Sequence, residues 1–180
     1  LGLYQWAVGF NNTAVEYEAN AKTAWSNVES SYQRRNDLIG NLVKTVQGAA
    51  DFERGTLTDV IEARAKVGQM NIEGAPTPAQ MQAFQANQDA LTSALSRLLV
   101  VVERYPELKA VQAFRDLQVQ LEGTENRIAV ERRRYNEVAR DYNTARRRFP
   151  AILIAGFLGF DDKAYFESKP GADEPPQVEF

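Results

Sequence analysis

A chain of 180 residues with 44% apolar and 25% charged residues is the size and make-up of one folded domain, which excludes a wholly disordered or mostly membrane-embedded protein. It has no Cys and no His, so disulfides, thiol catalysis, imidazole general bases and the usual zinc sites are removed. The 21 Lys and Arg stand against 24 Asp and Glu, and the net charge of -3 gives no overall bias toward nucleic acid.

Residues 1–10 carry no charge and include Tyr4 and Trp6, side chains that favour the membrane–water interface. Ten residues are too few to cross a bilayer, which takes about 20. The segment reads as the end of an N-terminal membrane anchor or as an apolar helix end packed on the rest of the chain.

From Ala21 an apolar stripe advances in alternating steps of three and four, the period that keeps one helix face toward a partner. It runs through Trp25, Val28, Tyr32, Arg35, Ile39, Leu42, Val46 and Ala49, with a bend expected at Gly40. Gly48 and Gly55 weaken the helix, and a second stripe follows through Leu57, Val60, Arg64 and Val67. Gly74 to Pro78 is the clearest break. Thr77 suits a cap and Pro78 a first turn, so a third helix starts there and ends before Pro106. Its stripe is Phe84, Gln88, Leu91, Leu95, Leu98, Val102 and Tyr105, and the run Leu98 to Val102 predicts burial on more than one side. Past Pro106 the last stripe extends from Phe114 through Leu117, Leu121, Thr124, Ile128, Glu131, Tyr135, Val138, Tyr142 and Ala145 to Phe149, one long helix that Pro150 should end or bend. No strand alternation competes with it. The expectation is an all-α fold, an antiparallel bundle of four long helices with coiled-coil-like packing over residues 11–160.

Three stripe positions are charged. Arg35, Arg64 and Glu131 must be paired or reach the surface, and an internal polar network is expected in which Glu131 meets one of the two arginines. The alternative is that these long side chains extend to water at the bundle edge. Catalysis by Glu131 or Glu125 would need a second convergent acid in a concave pocket, which the sequence does not show. Charge elsewhere is uneven. Residues 127–148 hold eight Arg against Glu131, Glu137 and Asp141. Arg133, Arg140 and Arg147 recur every seven residues and point away from a core formed by Ile128, Tyr135, Tyr142 and Phe149. They form either a solvated face or an interaction strip for an acidic protein partner or anionic lipid. Nucleic acid is not expected, because no exposed aromatics interleave the strip.

Residues 151–160 are a second uncharged decapeptide, expected to close one end of the bundle or else to rest on a membrane or a neighbouring subunit. Residues 161–180 form an acidic, Pro-containing C-terminal tail, six acids against Lys163 and Lys169. Pro176 to Phe180 alternates apolar and polar side chains and could add to a sheet as a short strand.

The runs Ala24-Trp25-Ser26-Asn27-Val28 and Tyr32-Gln33-Arg34-Arg35-Asn36-Asp37-Leu38-Ile39 resemble the LemA family of bacterial proteins. The likeness continues through Ala63-Arg64-Ala65, Leu95 to Pro106, Leu121 to Ala129, Tyr135-Asn136, Tyr142-Asn143, Phe149-Pro150, Gly159-Phe160 and Tyr165-Phe166-Glu167. Gly40 departs from it, standing where the family usually has Pro. The resemblance implies a long-helix bundle behind an N-terminal membrane span, with no established enzymatic activity, no catalytic residues and no cofactor. It also implies a setting on a bacterial plasma membrane, since relatives take part in magnetosome membrane formation. A non-catalytic scaffold or assembly protein that forms homo-oligomers on that membrane is the function expected.

Overall fold

The computed structural model describes residues 2–49 and 52–167. Six helices follow one another: α1 (Gly2–Gln47), α2 (Arg54–Gly68), α3 (Pro78–Val102), α4 (Pro106–Ala110), α5 (Gln112–Arg147) and α6 (Ile152–Ala155). The fold is all-helical, with no strand among the described residues. The segment Pro176 to Phe180 lies outside them.

Local chemistry sets the boundaries. Thr77 accepts a hydrogen bond from the Gln80 amide at 3.3 Å while the Gln80 side chain accepts from the Thr77 amide at 3.0 Å, and this reciprocal cap opens α3 with Pro78 in its first turn. α1 continues as helix through Gly40, where a bend was expected, and through the 10/11 boundary between the expected anchor end and bundle. Gly40 serves another purpose. A Cβ built there would lie 2.7 Å from the Arg64 guanidinium carbon, so the missing side chain lets Arg64 lie across α1 and donate from Nε to the Asn36 carbonyl at 3.0 Å. The long helix expected over Phe114 to Phe149 is α5, and the short α4 precedes it. Val111 adopts an extended conformation, φ -65° and ψ 121°, and separates α4 from α5.

Contacts between the helices run in order. Along α1 and α5, Ala14 packs in a cluster with Tyr142, Trp25 meets Tyr135 with ring centres 5.5 Å apart, and Arg35 reaches Glu125 at 3.0 Å. Rising numbers on one helix match falling numbers on the other. The same holds for α2 and α3, where Asp59 pairs with Arg97 at 3.4 Å and Met70, just past the end of α2, meets Asn87. The core divides into three strata. One holds Ile39, Leu42 and Val46 with Val60, Leu91, Leu98 and Phe114. The next holds Trp25, Val28 and Tyr32 with Met81, Phe84, Ile128, Tyr135 and Phe166. A smaller one joins Ala14, Tyr142, Ala155 and Phe160. In the apolar run of α3, Leu98, Val101 and Val102 are buried but Val100 is exposed. Burial on more than one side was expected there; Leu99 is half-buried beside the three buried residues, and at Val100 the helix keeps a face in water among the described residues.

Among the described residues, the core tyrosines Tyr135 and Tyr142 carry hydroxyls that find no hydrogen-bond partner. Burial pushes both phenols upward, Tyr142 to about 12 and Tyr135 further, with Tyr165 adding to the effect on Tyr135. An unfolded phenol ionises near about 10, so the neutral native form holds its advantage below that pH and loses it as pH rises toward 12. Urea midpoints should therefore be level from neutrality to about pH 9.5 and fall above it. The Tyr135→Phe, Tyr142→Phe double variant should fall less steeply and be no less stable at neutral pH, since it removes two unsatisfied buried groups. An equal alkaline decline in both proteins would contradict this account.

Candidate functional site

Between the first two apolar strata lies a polar one. On α1 it falls at Arg35, on α3 at Gln88 and on α5 at Thr124 and Glu125, each between residues of the two strata on its own helix. Arg35 is 4% exposed, and its guanidinium is held from three sides. Nη1 donates to Glu125 Oε1 at 3.0 Å and to Thr92 Oγ1 at 3.2 Å, and Nη2 donates to the Gln88 side-chain carbonyl. Its carbon lies 5.1 Å from the centre of the Tyr32 ring. An arginine suits this place because its planar fork serves several acceptors at once.

The expected meeting of Glu131 with Arg35 or Arg64 does not occur. Glu131 is 2% exposed, one heptad past Thr124, and its partners belong to its own helix. Arg127 Nε donates to Oε1 at 3.1 Å, and Arg134 stands 3.5 Å from Oε2. Helical neighbours three and four residues away reach a buried carboxylate from the rim, while Arg35 is committed two turns along the bundle and Arg64 lies over α1. Sequence reading found Arg35 but missed Gln88 and Thr124 as members of its layer. The signal was present: both are polar interruptions of an apolar stripe, and the three interruptions share a level.

Arg133 and Arg140 are exposed, as the seven-residue spacing predicts. Arg147 is exposed but engaged, donating to Asp162 at 2.7 Å, with Arg146 on the other oxygen of that carboxylate at 2.7 Å. The hydrogen bond from Arg147 holds the Asp162 carboxyl below the usual carboxylate range. Among the described residues the strip therefore presents two guanidinium groups without an ion pair, Arg133 and Arg140, beside a paired one.

Asp162 belongs to an extended segment, 161–167, laid along α5. Two asparagines one heptad apart hold it. Asn136 donates to the Phe166 carbonyl at 3.0 Å and accepts from the Phe166 amide at 2.8 Å; Asn143 does the same with Lys163 at 2.9 and 2.8 Å. Each pairs a side-chain amide with one residue's backbone, satisfying groups that would otherwise be stranded. The repeated Tyr-Asn dipeptide thus has a physical basis: the tyrosine enters the core and the next residue fastens the segment. Phe166 seats against Trp25, Phe84 and Tyr135.

At the start of α1 Tyr4 is exposed and Trp6 stacks on Phe10, which meets Phe160 edge-on with centres 6.2 Å apart. Among the described residues no helix is long and apolar enough to cross a membrane. A groove of about 550 Å³ between α1 and α5 is edged by Arg34 and Arg127 and has Ser30, Gly123 and Thr124 in its walls. Its lining has no acid. Among the described residues no group of three or more Asp or Glu is placed to hold a metal ion.

The sequence model of the LemA family matches residues 24–180. Magnetosome protein MamQ 2 of Paramagnetospirillum magneticum is 29% identical over 183 residues, spanning 91% of this chain and 67% of its own length. Magnetosome protein MamQ of Magnetospirillum gryphiswaldense is 29% identical over 191 residues, spanning 94% and 70%. Protein LemA of Metamycoplasma hominis is 22% identical over 161 residues, spanning 89% and 70%.

Proposed function

Because the chain belongs to the LemA family, we propose that it is a non-catalytic helical scaffold, held on a bacterial plasma membrane by a hydrophobic span ahead of the described residues. Copies assemble side by side there. Its four longer helices, α1, α2, α3 and α5, act as an antiparallel bundle with coiled-coil-like packing, which the opposed numbering of the α1–α5 and α2–α3 contacts supports.

The observation that carries the reading is the continuity of α1. One helix runs from the uncharged residues 2–10, with Tyr4 and Trp6, into the buried stripe at Trp25 and beyond to Gln47. A span feeding such a helix would be rigidly coupled to the core, because 46 residues of helix cover roughly 69 Å at about 1.5 Å per residue. Confinement to a plane raises the effective concentration of neighbouring copies, so weak lateral contacts suffice for assembly. Absence of Cys and His from the sequence, and the engagement of Glu125 and Glu131 by arginines, fit a structural rather than a catalytic role. The named relatives from magnetosome-forming bacteria are compatible with a role at a membrane. Capture of an acidic partner or anionic lipid by Arg133, Arg140 and Arg147 is the second reading, and it is weakened by the Arg147–Asp162 pair.

Expression of the whole gene product in bacteria tests the anchor. It should stay with membranes through salt and alkaline carbonate washing and leave only with detergent, and in detergent it should scatter light as an oligomer. Release by salt would remove the anchor, and a monomeric particle at high concentration would remove the assembly.

A further inference from the structure

The uncharged decapeptide at 151–160 was expected to close one end of the bundle or else to rest on a membrane or a neighbouring subunit, and its small and large residues divide between those two roles. Ala151, Ala155 and Phe160 are buried, while Ile152, Leu153, Phe157 and Leu158 are exposed, together with the preceding Phe149. Phe157 is 93%, Phe149 81% and Leu153 69% exposed. Alanines four residues apart face inward, so the large side chains on the other face of this turn must face outward. Gly159, at φ 81°, adopts a left-handed conformation that turns the chain back so that Phe160 re-enters the protein. The loop is thus fastened by small residues and one ring, and displays its apolar bulk.

We infer that this loop, Phe149 to Leu158, is a second membrane contact, a foot that seats in the headgroup and upper acyl region of a phospholipid bilayer beside the anchor. The inference extends the proposed function by placing one end of the bundle on the lipid surface. Position supports it: Phe10 of α1 touches Phe160, and Ala14 shares a cluster with Ala155, so the foot lies at the end of the bundle where the exposed Tyr4 and Val8 stand. Chemistry supports it too. No charge lies between residues 149 and 160, so nothing ionised is carried into the interface, and phenylalanine and leucine are the side chains that partition there. Arg148, exposed and without an ion pair among the described residues, adjoins the loop and can meet phosphate groups, with Arg140 further back on α5. Asp141 and Asp161 are also exposed nearby, so the preference for anionic lipid should be modest. A second protein copy is a poorer occupant, because a patch on the order of a few hundred Å² falls well below the about 800 Å² per partner of a stable dimer.

The chain has no cysteine, so Phe157→Cys carries one environment-sensitive dye at a single place, and Val119→Cys, exposed on α5, carries it far from the foot. With vesicles of phosphatidylcholine and about a third phosphatidylglycerol, the dye at 157 should shift to the blue and the dye at 119 should not. In sedimentation with the same vesicles, Leu153→Glu, Phe157→Glu should bind at least about tenfold more weakly than the parent, and Val119→Glu should bind equally well. Far-ultraviolet dichroism should be unchanged in all, since the replaced side chains are exposed. Three results would overturn the inference: no binding by the parent chain, equal binding by the foot variant, or equal dye shifts at both positions. A blue shift at 157 that appears on concentrating the protein without vesicles would assign the loop to a second copy instead. The anchor is judged separately by carbonate washing, so a gene product that resists extraction while residue 157 stays in water loses only the foot.

Discussion

Replacing Trp25 with alanine should lower the unfolding free energy by about 3–5 kcal/mol, with a fall in melting temperature of roughly 2–4 °C per kcal/mol for a chain of this size. Trp25 is 1% exposed, and its ring is the meeting point of three helices and the extended segment. Phe84 of α3, Tyr135 of α5 and Phe166 of segment 161–167 lie with ring centres 5.2, 5.5 and 5.8 Å from it. Removing the indole deletes the largest buried side chain of its stratum and opens a cavity that four separate elements would have to collapse together to fill. Trp25→Phe keeps an aromatic surface and should lose less than half as much. Chemical denaturation followed by dichroism decides it. A loss under about 1 kcal/mol for the alanine variant would mean the stratum repacks freely, and the rings would not be the tie between α1, α3 and α5.

The helices were legible because a period of three and four residues is a direct consequence of helical geometry, and burial of one face imposes it on the sequence. Thr77, Pro78 and Gln80 announced their cap for the same local reason. The short α4 ahead of the long helix was not legible, because no Gly or Pro marks its end at Val111; an ordinary residue takes an extended conformation there. Nor was the extension of α1 back to Gly2, since the apolar stripe becomes regular only from Ala21. For the polar layer, depth could be read but partners could not. A stripe position says that Arg35 is buried; what it meets depends on the register between helices, set by packing along their whole length. Glu131 illustrates the difference, having the expected burial and partners from its own helix. For residues 151–160 the choice between closing the bundle and facing outward stayed open for a related reason. Composition shows that the loop is apolar, and only the fold shows that its alanines have taken the inward places.

Replacing Arg35 with methionine should cost about 2–4 kcal/mol, somewhat less than the 3–5 kcal/mol typical when one member of a fully buried ion pair is removed. The reduction follows from Glu125, which is about half exposed and can turn to water once its partner is gone. Gln88 cannot, being 5% exposed, so its carbonyl would be left without the guanidinium that satisfies it. Most of the loss should therefore be recovered in the double variant Arg35→Met, Gln88→Met, which fills the layer with apolar side chains of similar length. Gln88→Met alone should be destabilising, because it strips an acceptor from a buried cation. A double-mutant cycle in urea measures this coupling, and additive losses would show that the two side chains do not act as one unit. If the layer also fixes helix register, the recovered double variant should be stable yet less uniquely packed, with broader side-chain resonances and weaker near-ultraviolet dichroism than the parent. An apolar stripe tolerates a slide by one heptad because it presents similar side chains again. A guanidinium that finds Glu125, Thr92 and Gln88 at only one alignment does not.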